Sequence, residues 1–225
     1  MLFRSGETLG REIIEMNLNN YYWYWTHGLP KNVCDQIIKT AENQGSKMDV
    51  IGEMARDLSR FPLSKIEEEK LKDTRDSDVK WLGDTWIYKE LHPFIYSANA
   101  KAGWNFDWDW SEPCQITTYQ KGQFYEWHCD SGSTPLVSKD PNYNGKVRKL
   151  SMTVQLSEPE EYEGGELQFD YRNSLKGSPV INTAKEINRK GSVIIFPSHL
   201  WHRVKPVTKG RRRSLVMWNM GRPFR

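Results

Sequence analysis

The sequence predicts a mainly β fold, an antiparallel sandwich or barrel buttressed by an N-terminal helical layer. Three observations predict it. From about Trp104 onward the chain is cut into short β-branched and aromatic segments. Glycines at Gly122, Gly132, Gly145, Gly164-Gly165, Gly191 and Gly210 separate those segments. Helical spacing of apolar residues is confined to the first hundred residues.

In chain order, residues 1–20 read as a polar arm, and Tyr21-Tyr22-Trp23-Tyr24-Trp25 as a strand. Pro30 opens a helix in which Val33, Cys34, Ile37, Ile38 and Ala41 share a face, with Gly45 past its end. Residues 46–82 are charged and uneven, with a solvated helix expected around Ser64–Lys72. Asp84 is placed to cap a helix through Trp86, Ile87 and Leu91, and Pro93 is expected to kink or break it. Strands follow near Cys114–Tyr119, Phe124–Cys129, Lys149–Leu156, Glu166–Asp170, Ser192–Phe196, Trp201–Lys205 and Ser214–Asn219. The aromatic cluster from Trp104 to Trp110 reads as packing between helices and sheet. The polar segment Ser131–Lys146 reads as a loop beside the strand that precedes it. Residues 1–100 thus form a support region and residues 101–225 the core, together one compact domain.

Ten Trp, ten Tyr and eight Phe supply much of the buried apolar area. A net charge of +3 from 32 basic and 29 acidic side chains disfavours a nucleic-acid partner. Cys34, Cys114 and Cys129 are odd in number and form no C-x-x-C, which points to a reducing, cytoplasmic setting rather than a disulfide framework. No apolar leader and no membrane-length apolar run occurs in the sequence, so a secreted or membrane-spanning protein is not expected.

The chemistry centres on His128-Cys129-Asp130. In a strand, residues two apart project from one face, so His128 and Asp130 can aim at one point. A third donor must come from a distant strand, and His202 is placed for it. Two imidazoles and a carboxylate suit iron(II) and leave coordination positions open. On residue types alone, His199 competes with His202, and zinc fits the same donors. His27 and His92 read as structural. A buried arginine behind the second histidine, Arg212, suits a ligand that carries a carboxylate.

These residues resemble a known family. Tyr119-Gln-Lys-Gly122-Gln-Phe-Tyr125-Glu-Trp-His128-Cys-Asp130 is similar to the Y-x-x-G-x-x-[FY]-x-x-H-x-D segment of iron(II)/2-oxoglutarate-dependent oxygenases, in their prolyl-4-hydroxylase-like branch. Leu150–Pro159 with Tyr162–Leu167, and then Phe196–Ser214, resemble the next two blocks of that branch in order. The resemblance implies a double-stranded β-helix, or jelly roll. It carries iron ligation onto His128, Asp130 and His202, and 2-oxoglutarate binding onto Arg212 and Ser214, with Tyr119 as a further contact. Among the adjacent arginines only Arg212 gives the Arg-x-Ser pattern; Arg211 is the alternative, and Arg211 and Arg213 otherwise read as a solvated basic turn. Gln155 departs from the aromatic usual at its position. The implied reaction consumes dioxygen and 2-oxoglutarate and hydroxylates a C–H bond, first of all on a peptidyl proline, with ascorbate as an accompanying ligand.

Two other readings remain in view. The same chemistry could act on a nucleobase or a small molecule, with Lys205, Lys209 and Arg211–Arg213 contacting phosphates. A non-catalytic jelly-roll module could retain the histidines for zinc. A serine hydrolase is not supported, since G-x-S-x-G is missing.

Overall fold

The computed structural model describes residues 20–43, 74–171 and 179–224. The expected polar arm, the helix around Ser64–Lys72 and the Gly45 stop signal lie outside the described residues. The helical layer comprises α1 (Lys31–Asn43) and α2 (Thr85–Lys101). Thirteen strands are described: β1 (Trp23–Trp25), β2 (Arg75–Asp76), β3 (Asp78–Leu82), β4 (Trp110–Ser111), β5 (Cys114–Gln120), β6 (Phe124–His128), β7 (Val147–Gln155), β8 (Tyr162–Gly164), β9 (Leu167–Asp170), β10 (Ile181–Thr183), β11 (Val193–Pro197), β12 (Trp201–Val204) and β13 (Val207–Gly221).

The strands form two antiparallel sheets, one ordered β1-β11-β7-β13-β5-β3 and the other β10-β9-β12-β6-β2. This is the expected jelly-roll core. β2 and β3 were not expected, because their charged sequence hides the alternation. In β3, Val79 and Leu82 are buried while Asp78 faces solvent. These strands, with β1, knit the N-terminal region into the same two sheets as the core.

Two apolar cores result. The first lies between the helices and the larger sheet, where Ile37, Leu91, Ile95 and Trp104 meet Leu150, Met152 and Met217. Trp104 and Phe106 are part of it, as the aromatic cluster predicted. The second lies between the sheets, around Phe169, Phe196, Ile194 and Val204. Pro93 neither breaks nor ends α2, which runs eight residues past it. Pro93 and Lys89, the residue whose carbonyl loses its bond, are both exposed, so water satisfies that carbonyl, while Leu91, Ile95 and Ala98 hold the buried face. Asp84 begins α2 through its backbone carbonyl, which accepts from Ile87 N at 3.0 Å, and makes no side-chain cap.

β13 is much longer than the predicted Ser214–Asn219 and contains the arginine triplet. The expected basic turn is therefore a strand paired with β5, with Arg211 exposed and Arg213 within 3.4 Å of Glu42. Segment 131–146 is a folded loop: Leu136 N donates to the Lys146 carbonyl, the Leu136 carbonyl accepts from Gly145 N, and Lys146 Nζ holds Asp109 at 2.6 Å. Leu91→Ala empties a fully buried position between α2 and the sheet. It should cost about 2–5 kcal/mol in a denaturant titration, whereas Pro93→Ala should be neutral or stabilising.

Candidate metal centre

The site is built by strand pairing. β12 lies antiparallel to β6 with His202 directly opposite His128, so the two imidazoles share one face, ring centroids 4.1 Å apart. Asp130, two residues past His128, turns its carboxylate to the same point. Its Oδ1 lies 3.8 Å from His128 Nε2, and its Oδ2 lies 3.5 Å from His202 Nε2. One donor atom from each residue falls within 4.8 Å of the other two. His199, the competing histidine, is not in this group; its ring sits 6.3 Å from that of Phe224. His92 bonds Ser111, and His27 bonds Thr26, as structural histidines do.

Backbone carbonyls fix both tautomers. His128 Nδ1–H donates to the Glu126 carbonyl at 2.7 Å, and His202 Nδ1–H to the Leu200 carbonyl at 2.9 Å. Each Nε2 is left with its lone pair aimed at the shared point. Burial, and next the electrostatic influence of the adjacent His202 imidazole, pulls His128 down to about 3, so it is neutral at pH 7. Burial pushes Asp130 up, but His202, His128, Arg148 and the Ser151 hydroxyl together outweigh it and hold the carboxyl at about 2. Neutral imidazoles and an ionised carboxylate are the metal-binding forms. The donor set fits a divalent iron on chemistry and arrangement.

Sequence reasoning missed Ser151. Its hydroxyl donates to Asp130 Oδ2 at 2.7 Å and lies 2.8 Å from the Ser198 hydroxyl. β7 places it one strand from the metal donors, and no motif flagged it.

Arg212 stands opposite Tyr119 in the β13–β5 ladder, with its guanidinium 5.7 Å from the Tyr119 ring centroid. Arg212 and Ser214 share a face, with Nη1 3.5 Å from the Ser214 hydroxyl. The metal donors, Tyr119, Arg212 and Ser214 line one cavity. Burial raises the Tyr119 phenol, partly offset by Arg75 and Arg212, so it stays a hydrogen-bond donor. No described carboxylate pairs with Arg212, although only 3% of it is exposed. A buried guanidinium without a counter-charge is costly, and a carboxylate-bearing cosubstrate would relieve it. Gln155, across the ladder from Ser214, donates to the Tyr162 hydroxyl and does not line the cavity that holds the histidines.

Tyr125 lines the same cavity, with Arg75 and Arg148 packed behind its wall. Tyr125 stacks on His128 with centroids 3.5 Å apart. Arg75, buried in β2, lies 4.8 Å over Tyr125 and among the described residues bonds the Ser77 and Thr117 hydroxyls. Arg148 is held by Glu112 at 2.7 Å and lies 3.7 Å over the Trp218 ring, whose buried Nε1 has no partner and borders the metal cavity.

Residues 114–220 match the sequence model of the 2OG-Fe(II) oxygenase superfamily. That match runs from β5 into β13, just under half of the chain. A PKHD-type hydroxylase of Pseudoalteromonas atlantica is 36% identical over 107 residues, covering 47% of this chain and 42% of that protein. Another, from Teredinibacter turnerae, is 29% identical over 150 residues, covering 66% and 58%. The chain spans about half the length of these relatives. Among solved structures, a Pseudomonas putida prolyl-4-hydroxylase superposes with a TM-score of 0.61 at 16% identity, over 91% of this chain and 95% of that one. A Trichoplax adhaerens prolyl hydroxylase, solved with a hypoxia-inducible-factor peptide, gives 0.59 at 19% identity over 89% and 84%. These likenesses show a shared fold.

Because Ser151 orients Asp130, Ser151→Ala should weaken iron(II) binding about 10–100-fold in a metal titration while leaving the melting temperature within a few degrees. Unchanged affinity would remove Ser151 from the site.

Proposed function

We propose that the chain is an iron(II)- and 2-oxoglutarate-dependent dioxygenase that hydroxylates a C–H bond of a prolyl residue in a peptide or protein. One observation carries this: His128, Asp130 and His202 converge in the same cavity as a buried Arg212 that has no described counter-charge. Iron(II) with 2-oxoglutarate and dioxygen supplies oxidative decarboxylation to succinate and carbon dioxide, with one oxygen atom delivered to the substrate.

The chain's residues do the rest. His128, Asp130 and His202 hold the metal on one side. The Arg212 guanidinium pairs with the distal carboxylate of 2-oxoglutarate, and the Tyr119 phenol and Ser214 hydroxyl donate to the same group. The cavity measures about 40 Å³, and Arg212 also borders a neighbouring cavity of about 550 Å³ beside Tyr162, Gly165 and Lys205. Trp218 Nε1, buried without a described partner, offers a donor inside the cavity, and Arg75 backs the Tyr125 ring from β2. Residues 1–100 and 101–225 act as one compact unit, since β2 supplies Arg75 to a site otherwise made by the core. Ascorbate belongs to this reading as an accompanying reductant, and the three free thiols suit a reducing, cytoplasmic setting.

Nucleic-acid recognition is the weaker reading. Lys205, Lys209 and Arg213 are engaged by Glu166, Glu163 and Glu42 respectively, which leaves little free positive charge for phosphates.

The test is a screen of proline-containing peptides with iron(II) and 2-oxoglutarate, read as a mass gain of one oxygen coupled to succinate release. Asp130→Ala should abolish both. Arg212→Ala should raise the KM for 2-oxoglutarate about tenfold or more, and Arg212→Lys should recover only part of it. Full turnover in Asp130→Ala would end this assignment.

A further inference from the structure

A second cavity, of roughly 440 Å³, opens beyond the end of β7 and is bounded by Asp107, Trp108, Lys149, Arg222 and Phe224. None of the metal donors or cosubstrate contacts lines it. Lys149 is only 3% exposed, yet its side chain borders this space. Its Nζ lies 3.4 Å over the Phe224 ring centroid, and no hydrogen-bond acceptor or ion-pair partner for it occurs among the described residues. Asp109 at the cavity edge is already held by Lys146, and exposed Asp107 acts on Lys149 only at longer range. An ammonium carries three donors, and a phenyl face satisfies none of them by hydrogen bonding. The local backbone is built for this placement. Asn219 pairs with Leu150 and Met220 with Arg148, so Lys149 is the extra residue of a bulge, a device that re-aims a side chain.

The cavity adjoins the metal centre. The Lys149 carbonyl accepts from Ser198 N, and the Ser198 hydroxyl touches Ser151, which holds Asp130. On the other side, the Cys129 thiol, between two metal donors, donates to the His199 carbonyl, and the His199 ring faces Phe224. Lys149 stands two residues before Ser151 in β7, a separation of about 6–7 Å along an extended strand, so a peptide reaching both sites spans only a few residues.

We propose that this cavity is a carboxylate subsite, in which the Lys149 ammonium receives an acidic side chain of the peptide substrate lying a few residues from the oxidised one, with Trp108 and Phe224 as apolar walls. The peptide source of the carboxylate rests on the function proposed above; the binding of a carboxylate at Lys149 does not.

Two measurements on the full chain test it. In protein carrying ¹³C-labelled lysine, the Lys149 resonance, assigned by its loss in Lys149→Met, should shift saturably with N-acetyl-glutamate N-methylamide and stay fixed with the glutamine counterpart. No shift with either compound overturns the subsite. In turnover, peptides with glutamate or glutamine at each position around a central proline should differ at one register by about tenfold in kcat/KM, the scale of one charge-assisted hydrogen bond. Lys149→Met should erase that difference and Lys149→Arg should keep most of it. A resonance shift without any register preference overturns the peptide source and assigns the subsite to a free small carboxylate. A shift with no peptide turned over at all supports the subsite and counts against the oxygenase reading instead.

Discussion

The antiparallel pairing of β12 with β6 is the constraint on which the site depends. It sets His202 opposite His128, and nothing in the local sequence of either strand could do so alone. Asp130 then needs only the two-residue repeat of an extended chain, and Ser151 removes its remaining freedom. Two carbonyls select the tautomer of each imidazole. The metal-binding state is thus prepared by hydrogen bonds that the fold makes in any case, and little reorganisation is left for the metal to impose.

Charge is the second organising theme. Arg75, Arg148 and Arg212 are all buried around one cavity. Glu112 neutralises Arg148, and Trp218 takes its face. Among the described residues, Arg75 and Arg212 meet hydroxyls and aromatic rings but no carboxylate. Buried positive charge with no described counter-charge, beside the His128–Asp130–His202 triad, favours an anionic ligand, in keeping with the proposed 2-oxo diacid. Gly165 shows how closely the wall is fitted. A Cβ there would lie 3.0 Å from Arg212 Cδ, and its φ of +65° favours glycine in any case.

Much of this was legible in the sequence, and the reasons differ by residue. His128 and Asp130 stand out because a strand repeats every two residues. Arg212 was separable from its neighbours because Ser214 follows on the same face. The aromatic run Trp104–Trp110 read correctly as packing for Trp104 and Phe106, whose side chains are nearly all apolar surface. Ser151, Glu112, Arg148 and Arg75 were not legible. Each acts through a partner on another strand, and a lone serine or arginine carries no periodic signal. β2 and β3 were hidden by charge: their outward residues are acidic or basic, and only two positions of β3 are fully buried. The length of β13 was missed for a similar reason, because Arg211 and Arg213, which flank the inward Arg212, read as a solvated turn.

The most direct measurement is an anaerobic titration of the full chain with iron(II) and 2-oxoglutarate, following the visible charge-transfer absorption of an iron(II)–2-oxo acid chelate. The account predicts one chelate per chain, absent in Asp130→Ala and requiring far more 2-oxoglutarate in Arg212→Ala. A band that forms equally well in both variants, or none in the unaltered chain, would contradict it.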